Sequence, residues 1–369
     1  MICLASTNGR LPFLSQALME ELDAKFPGEI SMSVNLGDAM QPTSLAALSA
    51  HVDAGGKDLT SLFASGVDRI VFATPWDAAM QLPDSDSWKG ADEVILTVDK
   101  FNLRVSLENI VIACRNLIKP EWLVIPHEVI GPGYSRKHRD RAFKRATQWM
   151  SSMASHKLAP KLLFPIIEDS PEGAVRCFNQ ILEISKAASL KSSDFGFCLS
   201  SIAAVSPGAR LRIVQAIKNM MAAEGFDGMM VFAPLGSLPL DGILDAVVEG
   251  VECFETTLPF TMTKLAYAFC FSLDNVFESI SINLRDSCFK INNEPLARGC
   301  KCFTCRNHTK GYLHHLIDAK EILGDMLLFH HNTHMIVQLI HNLKASEHKA
   351  EFVRKWKVTH RIAVLKFQT

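Results

Sequence analysis

The sequence predicts an α/β protein built as a (β/α)8 barrel of the TIM type, with a chemically distinct segment near its C-terminus. Three observations carry this. Short apolar, strand-like runs alternate with longer helix-like segments from Val67 to Leu258. From Trp122 onward the strand-like runs recur at roughly 23–40 residue intervals, the spacing of βαβ units, and such units demand a parallel sheet. Cysteine and histidine, finally, crowd together after residue 300.

A parallel sheet with helical crossovers can be a doubly wound open sheet or a closed barrel. A barrel needs ~250 residues, and the segment before Ser287 supplies them. No G-x-G-x-x-G follows the first strand candidate, which weakens a dinucleotide-binding open sheet. The strand candidates are Ile70–Ala73, Trp122–Ile125, Leu162–Ile167, Phe195–Leu199, Met229–Ala233 and Cys253–Leu258. Helix-length segments lie between them: Leu103–Ile118, Lys137–Met153, Pro171–Leu190, Pro207–Gly225 and Pro239–Gly250. In the last three, proline sits at or near the helix start, where its missing N–H costs nothing. Gly225 and Gly250 stand where helices stop. After Lys310 the apolar residues fall at helix spacing, first from Tyr312 to Leu327 and again from Met335 to Leu343. The expected organisation is a barrel body over 1–286, a metal-binding subdomain with its helices over 287–345, and a basic segment over 346–369.

Composition fits this plan. The chain has 369 residues, 48% apolar and 21% charged, which excludes a disordered, collagen-like or repeat-dominated chain. A single core stops growing near ~250–300 residues, so a large domain with an appendage, or two domains, is expected. No apolar run approaches the ~18–20 residues of a membrane span. Met1-Ile2-Cys3-Leu4 lacks the basic patch and apolar core of a signal peptide. Ten cysteines without such a signal suggest reduced thiols or a metal site.

The formal net charge of −1 hides two basic segments. Arg136 to Arg145 holds six basic residues and one acid, and Lys344 to Arg361 holds six and two. Each could mark a polyanion footprint or a solvated helix face. The candidate polyanion-contacting residues are Arg136, Lys137, Arg139, Lys144, Arg145, Arg354, Lys355 and Lys357.

The sharpest signal is Cys300-Lys301-Cys302-Phe303-Thr304-Cys305. Three thiolates this close repel unless a soft cation neutralises them, and tetrahedral Zn2+ accepts three thiolates and one imidazole. One zinc per chain is expected, in a closed structural site. Nine of the 13 histidines lie after position 300. Of these, His308, His330, His331 and His334 are all chemically suited to be the fourth ligand.

Cys300-x-Cys302-x2-Cys305, followed after 25 intervening residues by His331-Asn332, resembles the zinc signature of the tRNA-guanine transglycosylase family. The resemblance extends through Tyr312-Leu313-His314-His315-Leu316-Ile317 and Glu321-Ile322-Leu323-Gly324-Asp325-Met326-Leu327, and more weakly through Leu244–Glu255 and Leu258-Pro259. It implies His331 as the fourth ligand and a barrel with the zinc subdomain near its last βα unit. His314, His315 and His334 are then expected to pack around the metal. Catalytic members exchange guanine at the tRNA wobble position for queuine or its precursor. They use an aspartate nucleophile, an Asp-Ser-Gly-Gly-Phe-Gln segment for acid/base chemistry and a Gly-Gly-Leu-Ala segment against the base.

This sequence departs from that pattern at each point. Glu255 stands at the nucleophile position, one methylene longer, and neither glycine-rich segment is present. Phe260-Thr261-Met262-Thr263 replaces the basic residues that follow Leu-Pro in catalytic members. A retained zinc scaffold without the chemistry resembles the accessory, non-catalytic branch of the eukaryotic queuine tRNA-ribosyltransferases. Arg115–Trp122 and the helix start Ser135-Arg136-Lys137 are similar to it as well. Cys3-Leu4 to Gly9 resembles a segment that relatives reach only after earlier strands.

The resemblance implies no catalytic residue on this chain, a heterodimer with the catalytic subunit, and tRNA as a further partner. It also implies a cytoplasmic location, with peripheral membrane association at the mitochondrial outer membrane. The rivals are an active transglycosylase using Glu255 and a stand-alone zinc-containing RNA-binding protein. His127-Glu128 follows a strand where a barrel presents catalytic groups, but with no partner visible in the sequence it reads as structural.

Overall fold

The computed structural model describes residues 1–364 apart from 6–12, 14, 60–70, 76–92, 99–100, 132, 157–159, 237 and 272–279. Eight parallel strands close into a barrel. In chain order they are β1 (Ile2–Leu4), β2 (Ile30–Asn35), β3 (Val71–Thr74), β6 (Trp122–Val124), β7 (Lys161–Ile166), β8 (Phe195–Leu199), β9 (Val231–Gly236) and β10 (Cys253–Thr256). Two antiparallel hairpins, β4–β5 (Glu93–Val98 and Phe101–Ser106) and β11–β12 (Tyr267–Phe269 and Ser281–Asn283), stand outside it.

The expected (β/α)8 barrel is therefore present, and its last six strands fall on the six strand candidates, allowing for shifts at their ends. The first two were not expected. Ile2–Leu4 is too short to stand out as a strand, whereas Ile30–Asn35 does alternate apolar Ile30, Met32 and Val34 with polar Ser31, Ser33 and Asn35, a period-two signal outside the strand candidates; β1 pairs with β10 and β2 with β3. The segment that resembles a late starting point in relatives thus begins with a barrel strand, while residues 6–9 of it lie outside the described ones.

A second correction falls on Leu103–Ile118. Its first residues form β5, and the helix starts at Leu107. Leu103 and Val105 turn inward around the exposed Arg104, a period of two rather than 3.6. Ser106 then caps the helix by accepting from the Asn109 N–H. At the other end, Cys253–Thr256 stops short of Leu258, because Pro259 sits in the first turn of a new helix, Leu258–Lys264.

The proline starts behave as expected. Helices Pro171–Ala187 and Pro207–Ala223 open on their prolines, and the Ser170 hydroxyl accepts from the Gly173 N–H. Gly225 and Gly250 have φ of 70° and 102°, a left-handed conformation that ends a helix and strains any residue with a Cβ.

The chain divides into two compact units. The first comprises Met1–Arg10, Ser31–Leu238 and Glu249–Thr256 and contains the barrel sheet apart from Ile30. Its interior is filled by Cys3, Phe72, Trp122, Val124, Leu163, Cys198, Phe232 and Cys253. The Phe72 and Phe232 rings stack at 4.9 Å. The second unit comprises Leu11–Ile30, Pro239–Val248 and Thr257–Thr369. Residues 11–30, 239–248 and 257–286, expected in the barrel body, group with this unit. Its apolar core joins Ala268, Leu284, Leu296, Leu313, Leu316, Leu327 and Leu328. No helix among the described residues is long and apolar enough to cross a membrane.

Candidate metal centre and barrel mouth

In the second unit, Cys300, Cys302, Cys305 and His331 converge, with their ligand atoms all within 4.8 Å of one another. The short helix Phe303–Asn307 and the long helix Ile322–Ala345 bring them together. The Cys302 sulfur caps the short helix, accepting from the Cys305 N–H at 3.3 Å. The His331 Nε2–H donates to the Phe269 carbonyl at 2.7 Å, which leaves the Nδ1 lone pair facing the sulfurs. Nδ1 lies 3.8, 3.5 and 3.3 Å from the sulfurs of Cys300, Cys302 and Cys305. Zinc–sulfur and zinc–nitrogen bonds of about 2.3 and 2.0–2.1 Å give a tetrahedral S–N edge of about 3.5 Å, so the spacing fits.

The donor chemistry fits as well. Without a cation the four groups must share protons. Burial pulls the His331 imidazole down, but the thiols of Cys300 and Cys305 outweigh it and hold the pKa up at about 10. The Cys302 thiol is pushed up by its neighbours Cys300 and Cys305 and then by burial. A soft divalent cation lets all three thiols ionise and takes the imidazole lone pair.

The other three candidate ligands lie outside the tetrad. His330 hydrogen-bonds to Glu21 at 2.8 Å and lies 3.3 Å from the Thr304 hydroxyl. The His308 ring stacks on Tyr312, and His334 is buried against Phe26 with its imidazole also hydrogen-bonding the Cys300 thiol. His314 bonds to the Leu284 carbonyl. Asn332, which the sequence marked only as part of a motif, pins three groups. Its Oδ1 accepts from the Phe269 N–H, and its amide donates to the Tyr267 carbonyl and the Thr263 hydroxyl. His331 and Asn332 thus clamp the long helix to β11, and a buried His-Asn pair beside a ligand motif was the available signal.

At the barrel mouth, in the first unit, Glu255 lies at the C-terminal end of β10 and is 1% exposed. Its carboxylate accepts a hydrogen bond from the Ser33 hydroxyl of β2. A register shift between Glu255 and Thr256 bends the strand there. Burial pushes up the thiols of Cys3 and Cys198, and the Glu255 carboxylate adds to both shifts.

Three further carboxylates past the strand ends among the described residues are paired. Glu128 meets His138 at 2.6 Å and also Arg145. Glu168 pairs with Arg176, and Asp169 with Arg139. The Arg139 guanidinium holds the Asp169 carboxyl below its ordinary range. Burial pushes the His127 imidazole down to about 4, against the hydrogen bond it donates to the Ile125 carbonyl.

The basic residues divide accordingly. Arg136, Lys137, Lys144, Arg354 and Lys355 are exposed. Arg139 and Arg145 do not face solvent freely. They lie against the mouth carboxylates, because Arg136–Ser155 turns that side of the helix inward with Ala142, Ala146 and Trp149. Lys357 is similarly held by Asp245 at 2.6 Å.

Residues 93–360 match the family described as queuine tRNA-ribosyltransferase. A queuine tRNA-ribosyltransferase of Helicobacter pylori is 26% identical over 227 residues, 52% of this chain and 57% of the relative. One from Francisella tularensis is 28% identical over 233 residues, 60% of this chain and 58% of the relative. The chain thus spans little more than half the length of these bacterial relatives. The queuine tRNA-ribosyltransferase accessory subunit 2 of Xenopus tropicalis is 23% identical over 335 residues, 77% of this chain and 76% of the relative. The family match takes in most of the sequence, including β6–β10 and the cysteine–histidine tetrad, and the chain belongs to the queuine tRNA-ribosyltransferase family.

Proposed function

We propose that this chain is the non-catalytic subunit of a heterodimeric queuine tRNA-ribosyltransferase. It scaffolds a catalytic partner and tRNA while the partner exchanges guanine for queuine at the wobble position. The observation that carries the proposal is the state of Glu255. A nucleophile must reach a ribose carbon with its oxygen free, and misplacement by ~1 Å can cost ~100-fold. The glutamate at this position is 1% exposed, one methylene longer than aspartate, and holds the Ser33 hydroxyl. The neighbouring acids Glu128, Glu168 and Asp169 are engaged by arginines and are poorly placed to shuttle protons.

What remains intact is the metal scaffold. Cys300, Cys302, Cys305 and His331 would hold Zn2+, which neutralises three thiolates and ties the short helix to the long one. A filled tetrahedron leaves no position for water, so the ion stabilises the fold and takes no part in base exchange. The exposed Arg136, Lys137, Lys144, Arg354 and Lys355 would meet tRNA phosphates.

The test is base exchange with this chain alone, the catalytic subunit alone and both together. Exchange should require both, and Glu255→Ala in the reconstituted pair should stay within a few-fold of wild type. A covalent tRNA adduct trapped on the isolated chain through Glu255 would establish the rival reading, an active transglycosylase. Purification from the native cell without a catalytic partner would instead point to a stand-alone RNA-binding protein.

A further inference from the structure

The helix Gln16–Lys25 belongs to the second unit although more than 270 residues separate it from the tetrad in sequence. Two of its side chains make three contacts with the tetrad's neighbours. Lys25 donates to the carbonyl of Lys301, the residue between Cys300 and Cys302. Glu21 accepts from Arg306 at 3.1 Å, and Arg306 follows Cys305. The other oxygen of Glu21 accepts from His330 Nε2 at 2.8 Å, and His330 precedes His331. Each contact therefore lands one residue from a ligand, and together they touch both metal-bearing helices and the loop between Cys300 and Cys302.

The two side chains act as one device. Lys25 and Glu21 pair at 2.8 Å, one turn apart on the same helix face. Glu21 is 18% exposed on its side chain, while His330 is fully buried. Removing the carboxylate would leave the buried imidazole without that partner. His330 also lies against Thr304, whose hydroxyl donates to the Leu327 carbonyl, so the contact continues into the spacing of the two helices.

We infer that Gln16–Lys25 is an outer clamp on the metal centre, with Glu21 and Lys25 as positioning residues that set how tightly the tetrad holds its ion. The inference rests on the zinc reading of the tetrad. Residues that orient metal ligands without touching the metal typically change affinity 10- to 100-fold when replaced. The coupling must run both ways, since a helix that tightens metal binding is itself tightened by the metal.

The experiment uses the full chain loaded with one equivalent of zinc. Zinc release to excess EDTA is timed for wild type, Glu21→Gln, Lys25→Met and Gln16→Ala, the last altering the same helix at an exposed residue whose amide bonds to Glu20. Glu21→Gln keeps an acceptor for His330 but loses the charge that holds Arg306 and Lys25. Release should be about ten-fold faster in Glu21→Gln and Lys25→Met, and unchanged in Gln16→Ala. Amide exchange is followed alongside. Stripping zinc from wild type should deprotect Gln16–Lys25, while Pro171–Ala187 in the barrel unit keeps its protection and reports that each variant is folded. Equal release rates in all four proteins, or a helix 16–25 indifferent to zinc, would overturn the clamp and leave the metal assignment standing. Failure of wild type to hold any zinc would overturn both.

Discussion

The barrel interior and the long helix of the second unit are both buried, but with opposite chemistry. Inside the barrel the packing residues are Phe72, Trp122, Val124, Leu163 and Phe232, with Cys3 and Cys198, whose thiols burial pushes up. The long helix buries five polar residues in a row, His330, His331, Asn332, Thr333 and His334, each 4% exposed or less. Apolar burial is non-directional and spread over many contacts, so no single barrel residue decides the fold. Buried polar groups are costly unless paired, so the second unit is organised by a few directed bonds. The difference teaches where each unit is fragile: the barrel should lose stability in proportion to the volume removed, whereas the metal region should fail at a single atom.

The largest effect should come from Cys302→Ser. Structural zinc contributes ~10–16 kcal/mol in small peptides, so losing the central thiolate should release the ion and unfold the two metal-bearing helices. Metal analysis and amide exchange over Phe303–Ala345 check this. A full equivalent of zinc in the variant would break the comparison.

Phe232→Ala should cost ~3–5 kcal/mol by opening a cavity beside Phe72, yet leave zinc content unchanged. Denaturant unfolding paired with metal analysis sharpens the contrast. Loss of zinc from a folded Phe232→Ala protein would show that the two units are not organised separately.

A third effect is set by pH. His127 is buried in the barrel unit with its pKa pushed down to about 4 from an ordinary 6.5. Its folded form binds a proton less readily than its unfolded form. The stability contribution is therefore full above pH 6.5 and falls as pH drops toward about 4, by ~3 kcal/mol across the window. His127→Gln should flatten stability against pH between about 4 and 6.5, read from urea midpoints. An unchanged slope would count against His127 as the group responsible.

The smallest effect belongs to the surface. Reversing Arg136, Lys137 and Lys144 to glutamate should leave stability within about 0.5 kcal/mol. It should weaken tRNA binding to the complex and flatten the slope of log K against log salt by ~0.7–0.9 per lost phosphate contact. The loss should be similar for different tRNAs, since phosphate contacts do not read bases. Unchanged affinity and slope would return the run to a solvated helix face.

Much of this was legible in the chain itself. The strand–helix alternation after Trp122, the prolines at 171 and 207 and the glycines at 225 and 250 are local signals, because periodicity and backbone preference act over a few residues. The tetrad's cysteines could be read from spacing alone, since three thiols within six residues have few uses. Tertiary structure decided the rest. Spacing could not choose among His308, His330, His331 and His334. The resemblance implied His331, and what the fold adds is the Phe269 carbonyl behind that imidazole, 62 residues away in sequence. Likewise Arg139 and Arg145 look as available as Arg136 until the helix turns them onto Asp169 and Glu128. Ile2–Leu4 is three residues of no distinct pattern, and it becomes a strand because β10, some 250 residues later, offers it unpaired backbone groups. Hydrogen bonds and ion pairs between distant segments leave no period in the sequence, which is why the fold alone could settle them.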